Sequence, residues 1–234
     1  MGRKLTIEKR FKEEGVVFYK EGPIKFLDVR LSYPHLDKPQ TFARDDGTEV
    51  QKYGLEGLIE SDRWPNARKY LVEKIRALME AKNCKCAKAN WFVLEGDADE
   101  RPELDGVYRI KCSESRKPEI LDENGDEIDS NEMIRTIFYP GCRVDILIEM
   151  WGQNYVDKKT NVSSKRVNGS LRSVKWRRND ERFGEEPIDT ESAWDDEDDD
   201  GFEKEDSSAL AKSSNKAVGG SKSKPSQDDE DEEL

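Results

Sequence analysis

Hydrophobic and polar positions alternate with a period of two through much of this chain. In residues 24–33, IKFLDVRLSY, the residues Leu27, Val29, Leu31 and Tyr33 interleave with Phe26, Asp28, Arg30 and Ser32, as in a half-buried strand. Pro34 and Pro39 break that run. A second strand is predicted over residues 50–59, with Gly54 and Gly57 marking bends or bulges. Pro65 then suits a first helical turn, and Tyr70, Leu71, Ile75, Leu78 and Met79 recur at helical spacing as far as Ala81. It is the one strong helix signal in the chain.

The β pattern returns after Gly106. Residues 107–112 form a predicted strand, and the short runs 119–121 and 127–128 flank DENGD, where Asn124-Gly125 signals a tight hairpin turn. Residues 142–151 alternate most cleanly, with Cys142, Val144, Ile146, Ile148 and Met150 on one side and Arg143, Asp145, Leu147, Glu149 and Trp151 on the other. A last strand over 166–176 places Val167 and Leu171 on one face and Arg166, Arg172 and Trp176 on the other. About five main strands with one main α-helix suit a small mainly β barrel of the OB type better than a sandwich.

Charge divides the chain. Residues 189–234 hold 17 acidic and five basic side chains, a balance of −12 that equals the net charge of the whole protein. Residues 1–188 are therefore neutral, with 35 side chains of each sign. Two acidic blocks, 195–200 and 228–233, enclose a Ser/Lys/Gly/Ala stretch with little to bury, so residues 189–234 are expected to be a disordered acidic tail. The first 188 residues are enough for one domain with a real core. Apolar runs fall short of the ~20 residues a membrane span needs, and the N-terminus is charged where a signal peptide would be apolar. A soluble cytoplasmic protein is expected.

Enzyme signatures are sparse. The sequence has no P-loop, no G-x-G-x-x-G after a strand, no G-x-S-x-G and no H-E-x-x-H. His35, the only histidine, is a poor start for His-based acid–base chemistry. Cys84 and Cys86 form a C-x-C pair while Cys112 and Cys142 stand alone, so free thiols are expected rather than zinc ligands. The Asp122, Asp126 and Asp129 group lacks the register of a calcium loop and reads as a hairpin turn. No metal or cofactor is expected.

Basic and aromatic residues accumulate late in the chain: Arg143, Trp151, Tyr155, Lys158, Arg166, Arg172, Lys175 and Trp176. Single-stranded nucleic acid is bound by this combination, cations tracking phosphates and flat rings stacking on unpaired bases. Each ring, taken singly, reads equally well as core. The set, on the outward parity of two strands, favours binding. Lys111, Arg116 and Lys117 make a second basic cluster, and Tyr139, before Pro140-Gly141, is a third place for an exposed ring.

The order of these pieces resembles the replicative single-stranded-DNA-binding proteins of tailed bacteriophages, an OB-fold group with acidic tails. YGLEGLI leading into SDRWPNARKYLVEKIRALMEA is similar to that family's strand and helix. GVYRIKCSESRKPEILDENGDEI is similar to its basic turn and hairpin, and FYPGCRVDILIEMWGQNYVDKKTNVSSKRVNGSLRSVKW to its final paired strands. RFGEEPIDTESAWDDEDDDGF resembles the boundary of its acidic tail. The resemblance implies sequence-independent binding of single-stranded DNA on a face around Lys111, Arg116, Lys117, Trp151, Tyr155, Arg172 and Trp176. It also implies a tail that competes with DNA and recruits replication partners such as DNA polymerase or helicase/primase. Many such tails end in an aromatic residue whereas this one ends in EEL, so Leu234, or Trp194 and Phe202 in the first acidic block, would anchor a partner.

Two rivals follow from the same residues. An acidic-tailed chaperone or assembly factor for basic proteins would have no use for the cation and aromatic set. A nuclease would need strand-held carboxylates, and Asp145 and Glu149, which share a strand face, lie among basic groups that would neutralise them. Homodimerisation stays open.

Overall fold

The computed structural model describes residues 4–43, 48–156 and 163–184. The chain divides into two units, Met1–Glu186 and Pro187–Leu234, and all of the described residues lie in the first. Lys158, Trp194, Phe202 and Leu234 fall outside them. No described helix is long and apolar enough to cross a membrane.

Five long strands carry the architecture: β3 (Pro23–Ala43), β4 (Glu49–Glu60), β6 (Val107–Glu114), β8 (Arg143–Val156) and β9 (Ser163–Arg178). Four short ones complete it: β1 (Ile7–Phe11), β2 (Val16–Tyr19), β5 (Val93–Glu95) and β7 (Glu119–Leu121). The sheet runs β5-β6-β4-β3-β8-β9-β7, with β2 pairing to β3 and β1 to β2. It curls until the segment before β5 meets β9, where a single bridge joins Trp91 to Val167. Gly169 permits this approach, since a Cβ there would lie 3.1 Å from the Lys111 carbonyl oxygen and 3.2 Å from the Phe92 ring. The mainly β, OB-like expectation holds, but the sheet does not close, so the barrel is an open one.

Helix α1 (Pro65–Ala81) starts on its proline and buries Leu71, Ile75 and Met79 of the stripe read from spacing, together with Ala67, while Tyr70 and Leu78 are partly buried beside them. Trp64, immediately before it, is fully buried and meets Phe26 and Tyr108 edge to face, with centroids 5.9 and 5.6 Å apart. Helix α2 (Asn131–Ile137) was not anticipated. The Ser130 hydroxyl caps it, accepting the Met133 N–H at 3.3 Å, and Ile134 is its one buried residue. The DENGD turn forms, with Asp122 Oδ1 accepting the N–H groups of Asn124, Gly125 and Asp126. Its first flank, β7, finds its main partner in β9 rather than across the hairpin.

Three of the register shifts among the described strands change which residues face the core. Along β3, Phe26 opposes Ile146 and Val29 opposes Val144, so three steps on one strand match two on the other. The extra residue lies at Asp28, whose φ of 54° is left-handed. Ile24 and Phe26 therefore face the core before the bulge and Val29 and Leu31 after it, leaving Leu27 only partly buried. A second extra residue sits between Ser32 and His35, where Tyr33 has a φ of 47° and turns outward. Along β9, Leu147 opposes Ser173 but Ile148 opposes Leu171, so Arg172 occupies a third bulge. Beyond it the phase inverts, and Trp176, opposite Val144, packs on the core instead of facing out. β4, in contrast, pairs with β6 without interruption. Gly57 makes no bulge; a Cβ there would press on Ile146 and Val29 at 3.1 and 3.2 Å.

Candidate nucleic-acid interface

Two contiguous clefts cross the curled sheet. The larger, about 560 Å³, lies between β3 and β4 on one side and β6 and β9 on the other. Tyr33, Phe42, Lys52, Tyr53, Lys111 and Arg166 are among its walls. The second, about 460 Å³, is lined by Trp151 and Gln153 of β8, Arg172 of β9 and Glu114 of β6. Lys52, Ser113, Asn168 and Gly169 belong to both, so the two form one path.

Strand geometry supplies the side chains. On β8 the clean alternation puts Trp151 outward, 44 % exposed, opposite Asn168 on β9. Asn168 donates to Gln153 at 3.1 Å, and Gln153 donates to the Ser164 hydroxyl at 3.2 Å, so these amides hold each other in place along the path. Phe42 and Lys52 come from the ends of β3 and β4 that reach beyond the rest of the sheet, and Phe42 is 44 % exposed.

The cations here are unequally engaged. Arg172 donates to Glu149 at 2.8 Å and to Glu114 at 3.3 Å. Lys111 lies 3.4 Å from Glu56. Lys52 and Arg166 make no ion pair among the described residues. Burial pushes the Glu56 carboxyl up, but hydrogen bonds from Arg109 and Arg101 outweigh it and leave it below the usual carboxylate range. It stays charged beneath the cleft floor. Such a path offers cations at intervals, stacking rings and fixed amides, the inventory for an extended polyanion with aromatic bases.

The structure gathers only part of the set expected from sequence. Lys111, Trp151, Arg166 and Arg172 line the path. Arg116 and Lys117 are exposed in the turn after β6, next to Ser115 at its end, and Lys117 donates to Asn131 at 3.2 Å. Tyr155 is 55 % exposed near the end of β8 but lines neither cleft. Tyr139, Arg143, Lys175 and Trp176 are elsewhere. Tyr139 packs against the core, bonds through its hydroxyl to Asp180 and Asn179, and carries the Arg182 guanidinium on its ring at 4.3 Å. Arg143 donates to Asp180 at 2.6 Å, to Glu60 at 3.0 Å and to the Asp28 carbonyl. Lys175 opposes Asp145 across the β8–β9 ladder.

Sequence reasoning missed Tyr33, Phe42, Lys52 and Tyr53. A signal existed for three of them, the ring and cation residues of QTFARDDGTEVQKY on either side of its Asp-Asp-Gly. The nuclease alternative loses its carboxylates to ion pairs, Asp145 with Arg177 at 2.8 Å and Glu149 with Arg172. All four cysteines are free thiols.

The site is thus an open OB-like sheet crossed by a path of rings and cations, the class of surface that single-stranded nucleic acid would fit. The chain belongs to the family of the Enterobacter phage Enc34 ssDNA-binding protein, which matches residues 23–203. The solved single-stranded DNA-binding protein from bacteriophage Enc34 is 34 % identical, with a TM-score of 0.66 over 82 % of this chain and 100 % of the other. The same phage protein in complex with ssDNA gives 34 % identity and a TM-score of 0.67, over 78 % of this chain and 100 % of that one. The family and these neighbours are DNA-binding proteins, not enzymes. Among curated proteins no match was found.

Proposed function

We propose that this protein binds single-stranded DNA without sequence preference along the path between β3–β4 and β8–β9. The observation that carries the reading is the continuity of the two clefts, which brings Trp151, Arg172, Lys52, Lys111 and Arg166 onto one line in a chain whose 34 %-identical relative is solved with ssDNA. Rings stack on any base and cations take the phosphates, so affinity does not depend on sequence. Residues 1–188 serve as the DNA-binding domain and residues 189–234 as an acidic tail. The tail competes with DNA for the cations and, through Trp194, Phe202 and Leu234, recruits replication proteins such as DNA polymerase or helicase/primase. The protein thereby supports phage DNA replication, recombination and repair in the host cytoplasm.

Fluorescence titration with oligothymidylate, duplex DNA and RNA at low and high salt tests this. Tight oligothymidylate binding that weakens steeply with salt is expected, because neutralised phosphates release counterions. Affinity indifferent to salt, or a preference for duplex, would refute it. Deleting residues 189–234 should strengthen DNA binding chiefly at low salt, where screening is weak, and abolish co-precipitation of replication proteins.

A further inference from the structure

Tyr33 is hard to explain as a structural residue. Its φ of 47° is a left-handed conformation that bulky side chains avoid. The ring gains little burial in return, since it is 56 % exposed, the most of any large hydrophobic side chain among the described residues. Glycine or asparagine would hold the same backbone more easily. The backbone strain serves to aim a ring outward.

What lies against that ring is fixed from below. The Arg101 guanidinium sits 4.3 Å from the ring centroid. Arg101 is itself immobilised: it donates to Glu56 at 2.7 Å, to Glu103 at 3.2 Å and to the hydroxyl of Ser32, beside Tyr33, at 3.2 Å. Its side chain is only 14 % exposed. The ring also stands where two cavities meet. It walls the main cleft, and it walls a smaller apolar cavity of about 330 Å³ between β3 and α2, rimmed by the Arg135–Asp37 ion pair.

We infer that Tyr33 is a stacking platform for one unpaired nucleobase, with Arg101 as its positioning residue, and that the bound strand leaves the main cleft across this ring towards α2. The inference rests on the proposed binding of single-stranded DNA and adds to it a specific base site. A cation behind a ring draws electron density from its free face, so an electron-rich base stacks on that face while the bulge prevents the ring from folding away. The β3 bulge, the buried guanidinium and the Glu56 carboxylate form one device for presenting an aromatic surface.

The test uses full-length protein and oligothymidylate. Tyr33→Asn keeps a residue suited to the left-handed backbone and removes the ring, while Tyr33→Phe keeps the ring. Tyr33→Asn is expected to bind ~5- to 150-fold more weakly with a melting temperature equal to or above that of the parent. Tyr33→Phe should bind like the parent. Arg101→Met should weaken binding several-fold, with Arg101→Lys restoring much of the loss. Irradiating the unmodified protein with oligonucleotide carrying 5-iododeoxyuridine should attach DNA to the peptide containing Tyr33. Parent-like affinity of Tyr33→Asn, in a protein where Trp151→Ala still loses binding, would overturn the Tyr33 site and leave the function standing. Absence of the Tyr33 cross-link beside a clear one at Trp151 would overturn it equally. A parent protein that binds no oligothymidylate would remove both.

Discussion

Two of the three irregularities in strand β3 centre on a left-handed residue, Asp28 and Tyr33, five residues apart, and they are put to opposite uses. At Asp28 the irregular backbone is closed on every side. Its N–H donates to Asp145 at 2.8 Å, its carbonyl accepts from Arg63 at 2.7 Å and from Arg143 at 3.2 Å, and its carboxylate holds Arg178. Each cation there is satisfied within the fold. At Tyr33 the irregular backbone is left open, with a ring facing a cleft and one arginine behind it. The same local device, one extra residue in a left-handed conformation, locks one end of the sheet and exposes a contact at the other. The difference lies in the neighbours, several carboxylates and arginines at Asp28 against cavity at Tyr33.

Four outcomes sharpen that contrast. Trp176, near the locked end, packs on the core opposite Val144, so Trp176→Ala should cost about 3 kcal/mol of stability by leaving a cavity, read as a lower urea midpoint. DNA affinity per folded molecule should stay near that of the parent. A folded variant with weakened DNA binding would instead make the locked end part of the interface.

Arg143→Met takes the nearer cation from Asp180 and Glu60, leaving them Arg30 at 3.9 Å and Arg63 at 3.5 Å, and should cost about 1–2 kcal/mol, again without a matching loss of affinity. The same variant sharpens the pH dependence. The hydrogen bond from Arg143 holds the Asp180 carboxyl below its usual range. Burial pushes Glu60 up, but its own backbone N–H and the charge of Arg143 outweigh that and leave it lowered as well. Groups lowered on folding stabilise the protein above the ordinary carboxylate range, and that contribution is lost as pH falls through their depressed values. Urea midpoints measured from neutral to acid pH should therefore fall, and fall less steeply in Arg143→Met than in the parent.

Trp151→Ala at the open end should reverse the pattern, losing ~1–3 kcal/mol of DNA binding while its melting temperature changes little. The smallest effect is expected from Glu149→Gln. It frees Arg172 from one carboxylate and removes a negative charge from the path, so oligothymidylate affinity at low salt should rise by ~0.5–1 kcal/mol. A variant that binds no more tightly than the parent at low salt would mean that Arg172 does not meet phosphate.

Much of the scaffold was legible in the sequence. The α1 stripe, the β8 alternation and the central parts of the five long strands follow from periodicity, because burial on one face imposes a regular spacing. β3, however, runs on to Ala43 through Pro34 and Pro39, where the sequence predicts a break. The bulges were not legible, since an inserted residue leaves composition unchanged and inverts every position after it. Tyr33 and Trp176 thus exchanged places, the first expected inward and found outward, the second the reverse. Short elements also escaped: β1, IEKRF, is mostly charged, and α2 has one buried residue to betray it. For the site, residue types were readable and availability was not. Arg143 and Arg172 look alike along the chain and each meets two carboxylates in the fold; burial separates them, the Arg143 side chain being 13 % exposed and that of Arg172 46 %.

The seam where the curled sheet fails to close has a mechanical consequence. Elsewhere adjacent strands are laced by ladders, as in the pairing of β8 and β9 from Arg143 to Val156. Between the segment before β5 and β9 there is one bridge, Trp91 to Val167, and it lies at the main cleft, whose wall includes both residues. Separating the two edges there would break one backbone stitch rather than a row, so the packing of Trp91, Phe92 and Val167, all buried, holds the seam in place of a ladder.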